Sequence, residues 1–318
     1  SRSPQIPPAP PADRSASHYT PRPNVSHESP EAMQIRPYEL DSLTFAWCHR
    51  VYCRWRTHRR RRHARLAELD HEVLAPLLRP YSIHLLDVAA DQIDVRALVS
   101  LQPTEAVSSA VSKMKGRISK WLREQDQVAR PERSLGRGYF AATTGQSTSA
   151  AVEDYLQQQA EHHGYAGRAR SPVFVQKFER TDQSRRILET DHAVTALRYH
   201  VVLATWFRRG VFGPTAAEAV CGCWRAVQAD RRMVIDKVSF LPDHVHVALA
   251  LHPGRSPAEI VTAMMNAAQE KMWDEFADSV VMAGVERLWQ TSAYIGSFGN
   301  LSSNAISAYL ERWERVAE

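Results

Sequence analysis

Apolar and polar positions follow two periods along this chain, one of two residues and one near 3.6, and the two alternate in a regular order. Strand-like stretches run from Trp47 to Trp55, Tyr81 to Val88 and Asp94 to Leu101, with a shorter one near Tyr139 to Thr143. Helical stretches run from about Ala64 to Leu78, Thr104 to Leu122 and Thr148 to His162. The order β-α-β-β-α-β-α predicts a small α+β sandwich, with helices on an antiparallel sheet. Residues 165–192 are polar, carry Arg168, Arg170, Arg180, Arg185 and Arg186, and read as a connector in which Val173 to Phe178 could form a short strand.

Then the same order begins again. Strands are predicted at Tyr199 to Trp206, Val234 to Phe240, Val245 to Leu251 and Ala293 to Ser297, and helices at Thr215 to Ala229, Ser256 to Phe276 and Ser303 to Val316. Ser256 and Glu259 stand at capping-box spacing with Pro257 between them, which fixes the start of that helix. Laying Asp91-Gln92-Ile93-Asp94-Val95 on Asp243-His244-Val245-His246-Val247 gives a constant offset of 152, shared by Ile83 with Ile235 and Trp121 with Trp273. Gly145 meets Gly299 and Tyr155 meets Tyr309 at 154. This self-similarity predicts two tandem α+β domains, 38–164 and 193–318. Residues 1–37, rich in Pro and Ser, read as a disordered leader, and Ser1 in place of Met is expected of a processed or trimmed chain.

Composition narrows the class without naming a function. The 318 residues are 44% hydrophobic, enough for two cores, and no apolar run approaches the roughly 18 residues of a membrane span. No secretory signal pattern opens the chain, so a cytoplasmic, nucleoid-associated protein with no membrane partner is expected. Cys48, Cys53, Cys221 and Cys223 have neither disulfide-scaffold density nor Cys-x-x-Cys spacing. The net charge of +5 leans towards a polyanion, and its placement says more than its size. Arg54, Arg56, Arg59, Arg60, Arg61 and Arg62 surround Trp55, a composition suited to phosphate contact and base stacking, or equally to a solvated basic loop.

The chemistry gathers at His244 and His246. On a strand they point to one face while Val245 points to the other, which makes either half of a metal site or two unrelated strand histidines. Pro242-Asp243-His244-Val245-His246-Val247 follows Tyr199-His200-Val201-Val202 and precedes Tyr294-Ile295-Gly296-Ser297-Phe298-Gly299 and a tyrosine-bearing helix. Together these resemble the HUH single-strand DNA transposases that use one catalytic tyrosine, and their REP-associated relatives. The likeness covers residues 195–318, with a weaker echo over 43–163.

The resemblance implies a ferredoxin-like fold that works as a dimer, with two histidines and a Gln one helical turn beyond the tyrosine holding Mg²⁺ or Mn²⁺. It also implies a tyrosine helix able to dock on the other subunit's histidines. Each half of this chain departs from that pattern. The second has His244 and His246 but carries Trp313 where the Gln belongs; the first lacks the histidines but keeps Tyr155 and Gln159. A fused pseudo-dimer would therefore hold one composite site, with His244, His246 and Gln159 as metal ligands and Tyr155 as nucleophile, Tyr309 being the alternative. The opposite site, Gln92 and Asp94 with Tyr309 and Trp313, would be dead.

The implied substrate is single-stranded or hairpin DNA, with Lys113, Lys115, Arg208 and Arg209 joining the arginine cluster as backbone contacts or standing as ordinary surface cations. Tyr139, Tyr294 and Trp289 fit a core as well as a stacking platform. A non-catalytic hairpin-binding protein built on the same fold, or a histidine-metal hydrolase of small phosphodiesters, would share these features.

Overall fold

The structure, a computed structural model, describes residues 36–126, 134–145, 172–279, 282 and 284–299. The two expected tyrosine helices, with Tyr155, Gln159, Tyr309 and Trp313, lie outside the described residues. In the first half, strands β1 (Thr44–Cys48) and β2 (Arg50–Arg56) are followed by helix α1 (His71–Leu78), strands β3 (His84–Ala90) and β4 (Asp94–Ser100), helix α2 (Val107–Asp126) and strand β5 (Tyr139–Thr144). The connector forms β6 (Phe174–Lys177) and a helix not expected from the sequence, α3 (Asp182–Leu188), started by the Thr181 side chain on Ser184 N. The second half runs β7 (Ala193–Ala196), β8 (Arg198–Thr205), α4 (Pro214–Ala226), α5 (Gln228–Arg231), β9 (Met233–Leu241), β10 (His244–Leu251), α6 (Pro257–Phe276) and β11 (Trp289–Phe298).

The α+β class and the tandem order hold, but the sheets are mixed. One sheet has the order β3-β4-β2-β5-β7 and the other β1-β11-β8-β10-β9-β6. Each half thus lends its first strand to the other: β1 pairs parallel with β11, and β7 pairs parallel with β5. The stretch expected as one strand from Trp47 to Trp55 is divided at His49, whose carbonyl takes the Leu101 N–H, and the chain passes there from one sheet to the other. Leu197, whose carbonyl takes the Leu251 N–H, does the same between β7 and β8.

The seam between the halves is reciprocal. Thr143 Oγ1 donates to the Phe298 carbonyl and accepts from Arg198 N, while Ser297 Oγ donates to the Thr144 carbonyl and accepts from Arg50 N. Ser108 N donates to Pro253 O, and Ala258 N to Pro103 O. Backbones approach so closely that a Cβ on Gly145 would lie 2.3 Å from Ser297 O, and one on Gly299 2.2 Å from Thr143 O. The start of the first half is also tied to the second, with Tyr38 Oη donating to Trp289 O and accepting from Trp289 N.

Reciprocity also corrects the internal alignment. Thr57 N bonds Ile93 O as Thr205 N bonds Asp243 O, and β2 sets Arg56 opposite Asp94 as β8 sets Ala204 opposite His244. The irregularity in β3 between Leu85 and Asp87 recurs in β9 between Ile235 and Lys237. The offset through this region is therefore 150: Asp94 occupies the place of His244, and Arg96 that of His246. A two-residue slip leaves the in–out alternation of a strand unchanged, so the pattern alone could not expose it.

Helices α1 and α2 cover one face of the first sheet, and α4 and α6 one face of the second. The capping box at Ser256 and Glu259 starts α6, which buries Ile260, Val261, Met264, Met265, Ala268 and Met272. Trp224 of α4 stacks between Phe240 and Trp289, and its Nε1 donates to Met264 O at 2.7 Å. The opposite sheet faces carry the polar side chains of β2, β4, β8 and β10.

At the seam, His49 Nδ1 donates to Gln102 O at 3.1 Å, which leaves Nε2 to accept from Tyr199 Oη at 3.0 Å. Burial pulls the His49 pKa from 6.5 down to about 4. In the unfolded chain His49 takes up a proton below pH 6.5, in the folded chain only near pH 4. The unfolded state therefore binds more protons across that window, and stability falls with pH by about 1.4 kcal/mol per unit. Urea unfolding followed from pH 6.5 to 4 should show a shallower acid loss for His49→Gln than for wild type, the remainder coming from His200 and His252, which burial lowers in the same direction. Gly145→Ala and Gly299→Ala should each cost at least about 2 kcal/mol in thermal melts, because the obstructing atom is a backbone oxygen.

Candidate active site

The β9–β10 hairpin turns on two residues, Pro242 and Asp243, since Leu241 and His244 already pair. Along β10, Val245, Val247, Leu249 and Leu251 enter the helix-side core, and His244, His246, Ala248 and Ala250 line the other face. His244 and His246 are buried with ring centroids 5.1 Å apart, so the strand holds both imidazoles together as its alternation predicts. The loop after β8 clamps the turn: Thr205 N and Oγ1 both reach Asp243 O, and Phe212 N donates to Pro242 O.

Each imidazole is oriented by a neighbour. Asp243 Oδ1 accepts from His244 Nδ1 at 2.7 Å, while Asp243 Oδ2 holds Arg208 Nε at 3.0 Å. With its proton fixed on Nδ1, His244 presents the Nε2 lone pair. His246 Nδ1 lies 3.0 Å from His200 Nε2, and those two rings stack at 5.2 Å. Burial pushes the His200 pKa down to about 4, so His200 is neutral at pH 7 and can accept the His246 Nδ1–H. In that tautomer both strand histidines offer Nε2. The Tyr294 ring meets His200 edge-on at 6.0 Å.

This pair fits a divalent cation as part of a ligand set. Among the described residues no cluster of three His, Cys, Asp or Glu side chains is arranged to hold a metal ion. His200 and Asp243 are the functional residues that sequence reasoning passed over. His200 stood in the flanking strand without a role, its one signal being an imidazole at a polar position of β8. Asp243 counted only as part of a motif.

The first half has no equivalent pair. Asp94 is buried, and its Oδ2 takes both Nε and Nη2 of Arg54, the two side chains being 8% and 12% exposed. Where the second half has two imidazoles, the first has a buried ion pair and, at Arg96, a second guanidinium. Removing Arg54 would strand a buried carboxylate, at a cost of about 3–5 kcal/mol.

The remaining expected contacts are scattered. Arg54 and Arg56 lie on the open face of the first sheet, and Arg59, Arg60, Arg61 and Arg62 in the exposed loop after β2. Lys113 and Lys115 sit on α2, in the helix layer against the other face. Lys113 pairs with Glu105 at 2.7 Å, and Lys115 donates to Arg137 O, with burial pulling its pKa down to about 8. Arg208 and Arg209 are exposed beside the histidine hairpin, Arg209 also donating to Gly284 O. Trp289 is fully buried, Tyr139 partly so, and Tyr294 is 41% exposed.

The family described as Transposase IS200 like matches this chain twice, over residues 46–159 and again over 193–313. The chain belongs to the IS200-like transposase family. Its two matches follow the two halves of the fold, and the family's HUH-type nuclease activity makes this chain an enzyme of that class. Over 118 residues it is 23% identical to the ISDra2 transposase TnpA of Deinococcus radiodurans, spanning 37% of this chain and 84% of that protein. A crystal structure assigned as a transposase from Deinococcus radiodurans R1 is 20% identical and covers 39% of this chain and 96% of its own, with a TM-score of 0.32. A chlorite dismutase mutant from Candidatus Nitrospira defluvii covers 79% of this chain and 92% of its own at 12% identity and a TM-score of 0.19.

As ligands of a divalent cation, His244 and His246 would depend on the partners that set their tautomers. Asp243→Asn and His200→Phe are each expected to weaken Mn²⁺ binding about 10–100-fold in titration calorimetry.

Proposed function

We propose that this IS200-like transposase is a metal-dependent single-strand DNA nickase and strand transferase with one composite active site. His244 and His246 of the second half, with Gln159 of the first, would hold Mg²⁺ or Mn²⁺, and Tyr155 would be the nucleophile. The observation that carries this reading is the asymmetry of the two sheets. One keeps two adjacent imidazoles, each oriented at Nδ1 by a neighbour, and the other holds an Arg54–Asp94 ion pair at the corresponding place.

The bound cation would polarise the scissile phosphate. Asp243 and His200 would keep both ligand tautomers fixed, so no ring has to reorient as charge builds on the phosphate. The Tyr155 phenol oxygen would attack phosphorus, giving up its proton. The bond from phosphorus to the 3′ oxygen of the preceding nucleotide breaks, and that oxygen leaves as a protonated 3′ hydroxyl. The product is a 5′-phosphotyrosine that keeps the phosphodiester energy, so a second 3′ hydroxyl can reverse the step on another strand without ATP. The basic loop of Arg59 to Arg62, with Arg208 and Arg209, would hold the strand through its phosphates.

Incubation with a labelled hairpin oligonucleotide and Mn²⁺ tests this directly. A denaturation-resistant adduct is expected from wild type and Tyr309→Phe and absent from Tyr155→Phe. An adduct lost only with Tyr309→Phe places catalysis within the second half; binding with no adduct from wild type leaves a non-catalytic hairpin-binding protein.

A further inference from the structure

The loop between β8 and α4 carries a feature that neither metal binding nor the tyrosine requires. Phe207 is 76% exposed, the most exposed large hydrophobic among the described residues, and its backbone is left-handed, with φ 54° and ψ 24°. Arg208 follows at φ 56°. The left-handed region is costly for a bulky L-residue and cheap for glycine. The first half repeats this turn with Arg59 at φ 52° and Arg60 at φ 53°. The backbone shape therefore belongs to the fold, and both copies fill it with large side chains where glycine would relieve the strain. Strain of this kind, where observed, points to function.

The position of the ring is specific. Trp206 meets Phe207 edge-on at 5.0 Å and supports it from within the loop, leaving its outer surface in water. Thr205, two residues before, bonds Asp243 O, and Arg208, one residue after, bonds the Asp243 carboxylate that orients His244. Arg208 and Arg209 are exposed next to the ring. An exposed apolar ring followed in the chain by two exposed arginines suits a nucleotide, whose base stacks while its phosphate meets cations. A folded protein partner would be met by a wider apolar patch, whereas the three residues that follow Phe207, also exposed, are Arg208, Arg209 and Gly210.

We infer that Phe207 is a stacking platform for one unpaired base of the substrate strand next to the histidine site, with Arg208 and Arg209 on the adjoining phosphates. This rests on the strand-transfer reading and sharpens it. At the corresponding position the first half has Arg59 in place of an aromatic ring, so the two loops meet a strand with different chemistry.

Fluorescence titration of the full chain with a single-stranded oligonucleotide carrying 2-aminopurine tests the inference. Wild type should quench the probe. Phe207→Ala should weaken binding roughly 5–150-fold and lose the quench, and Phe207→Trp should retain both. Phe207→Gly should bind as poorly as the alanine variant yet melt about 2–4 °C higher, because the left-handed strain is gone. Mn²⁺ affinity should stay within twofold of wild type in all three. Equal binding and quenching by wild type and Phe207→Ala overturn the inference. So does a parallel loss of Mn²⁺ affinity, which would make Phe207 a support for Asp243. A wild-type chain that binds no single strand overturns the strand-transfer reading and the platform with it.

Discussion

The structure depends on the close approach of two backbones where β5 and β11 meet. Gly145 and Gly299 leave out the atoms that would keep the strands apart, and the hydroxyls of Thr143 and Ser297 satisfy the backbone groups the approach exposes. Without both, neither half could lend its first strand to the other, since β1 and β7 each need an edge that lies across this seam. Buried polar groups are tolerated only when partnered, and here every partner comes from the opposite half. The duplication is thus more than two domains on one chain, because each half completes the other's sheet.

That interdependence explains how one half could lose its histidines. The seam and the cores are built from the helix-facing side of each sheet and from the strand ends. Asp94 and Arg54 lie on the opposite face, where a change of chemistry leaves the packing of Val95, Ala97 and Val99 untouched. The histidines of the other half are held by a different set of contacts, namely a two-residue turn, the loop clamped to it and a neighbouring strand. A site assembled from local hydrogen bonds can persist in one copy and disappear from the other while the fold stays the same.

Much of this was legible in the sequence. The order of elements, the capped helix at Ser256, the shared face of His244 and His246 and the tandem repeat all follow from local periodicity. What the sequence concealed was long-range. Nothing in Thr44–Cys48 says that it pairs with residues some 250 positions away, and nothing marks His49 as a corner, since strand alternation continues through it. The alignment slipped by two because the two hairpins carry an aspartate at different places, Asp91 just before one two-residue turn and Asp243 within the other. The roles of His200 and Asp243 depend on which ring nitrogen meets which neighbour, and spacing along a chain does not carry that.

The exchange of first strands also sets an order of assembly. Thr44–Cys48 is synthesised long before its partner, Ser292 to Gly296. During translation β1 must wait, its edge unsatisfied, until β11 has emerged, while β7 finds β5 already made. Such a contact is slow to form because a long loop has to close around it. The first sheet can therefore form before β1 is sealed in place, which happens only when the strand that follows α6 arrives.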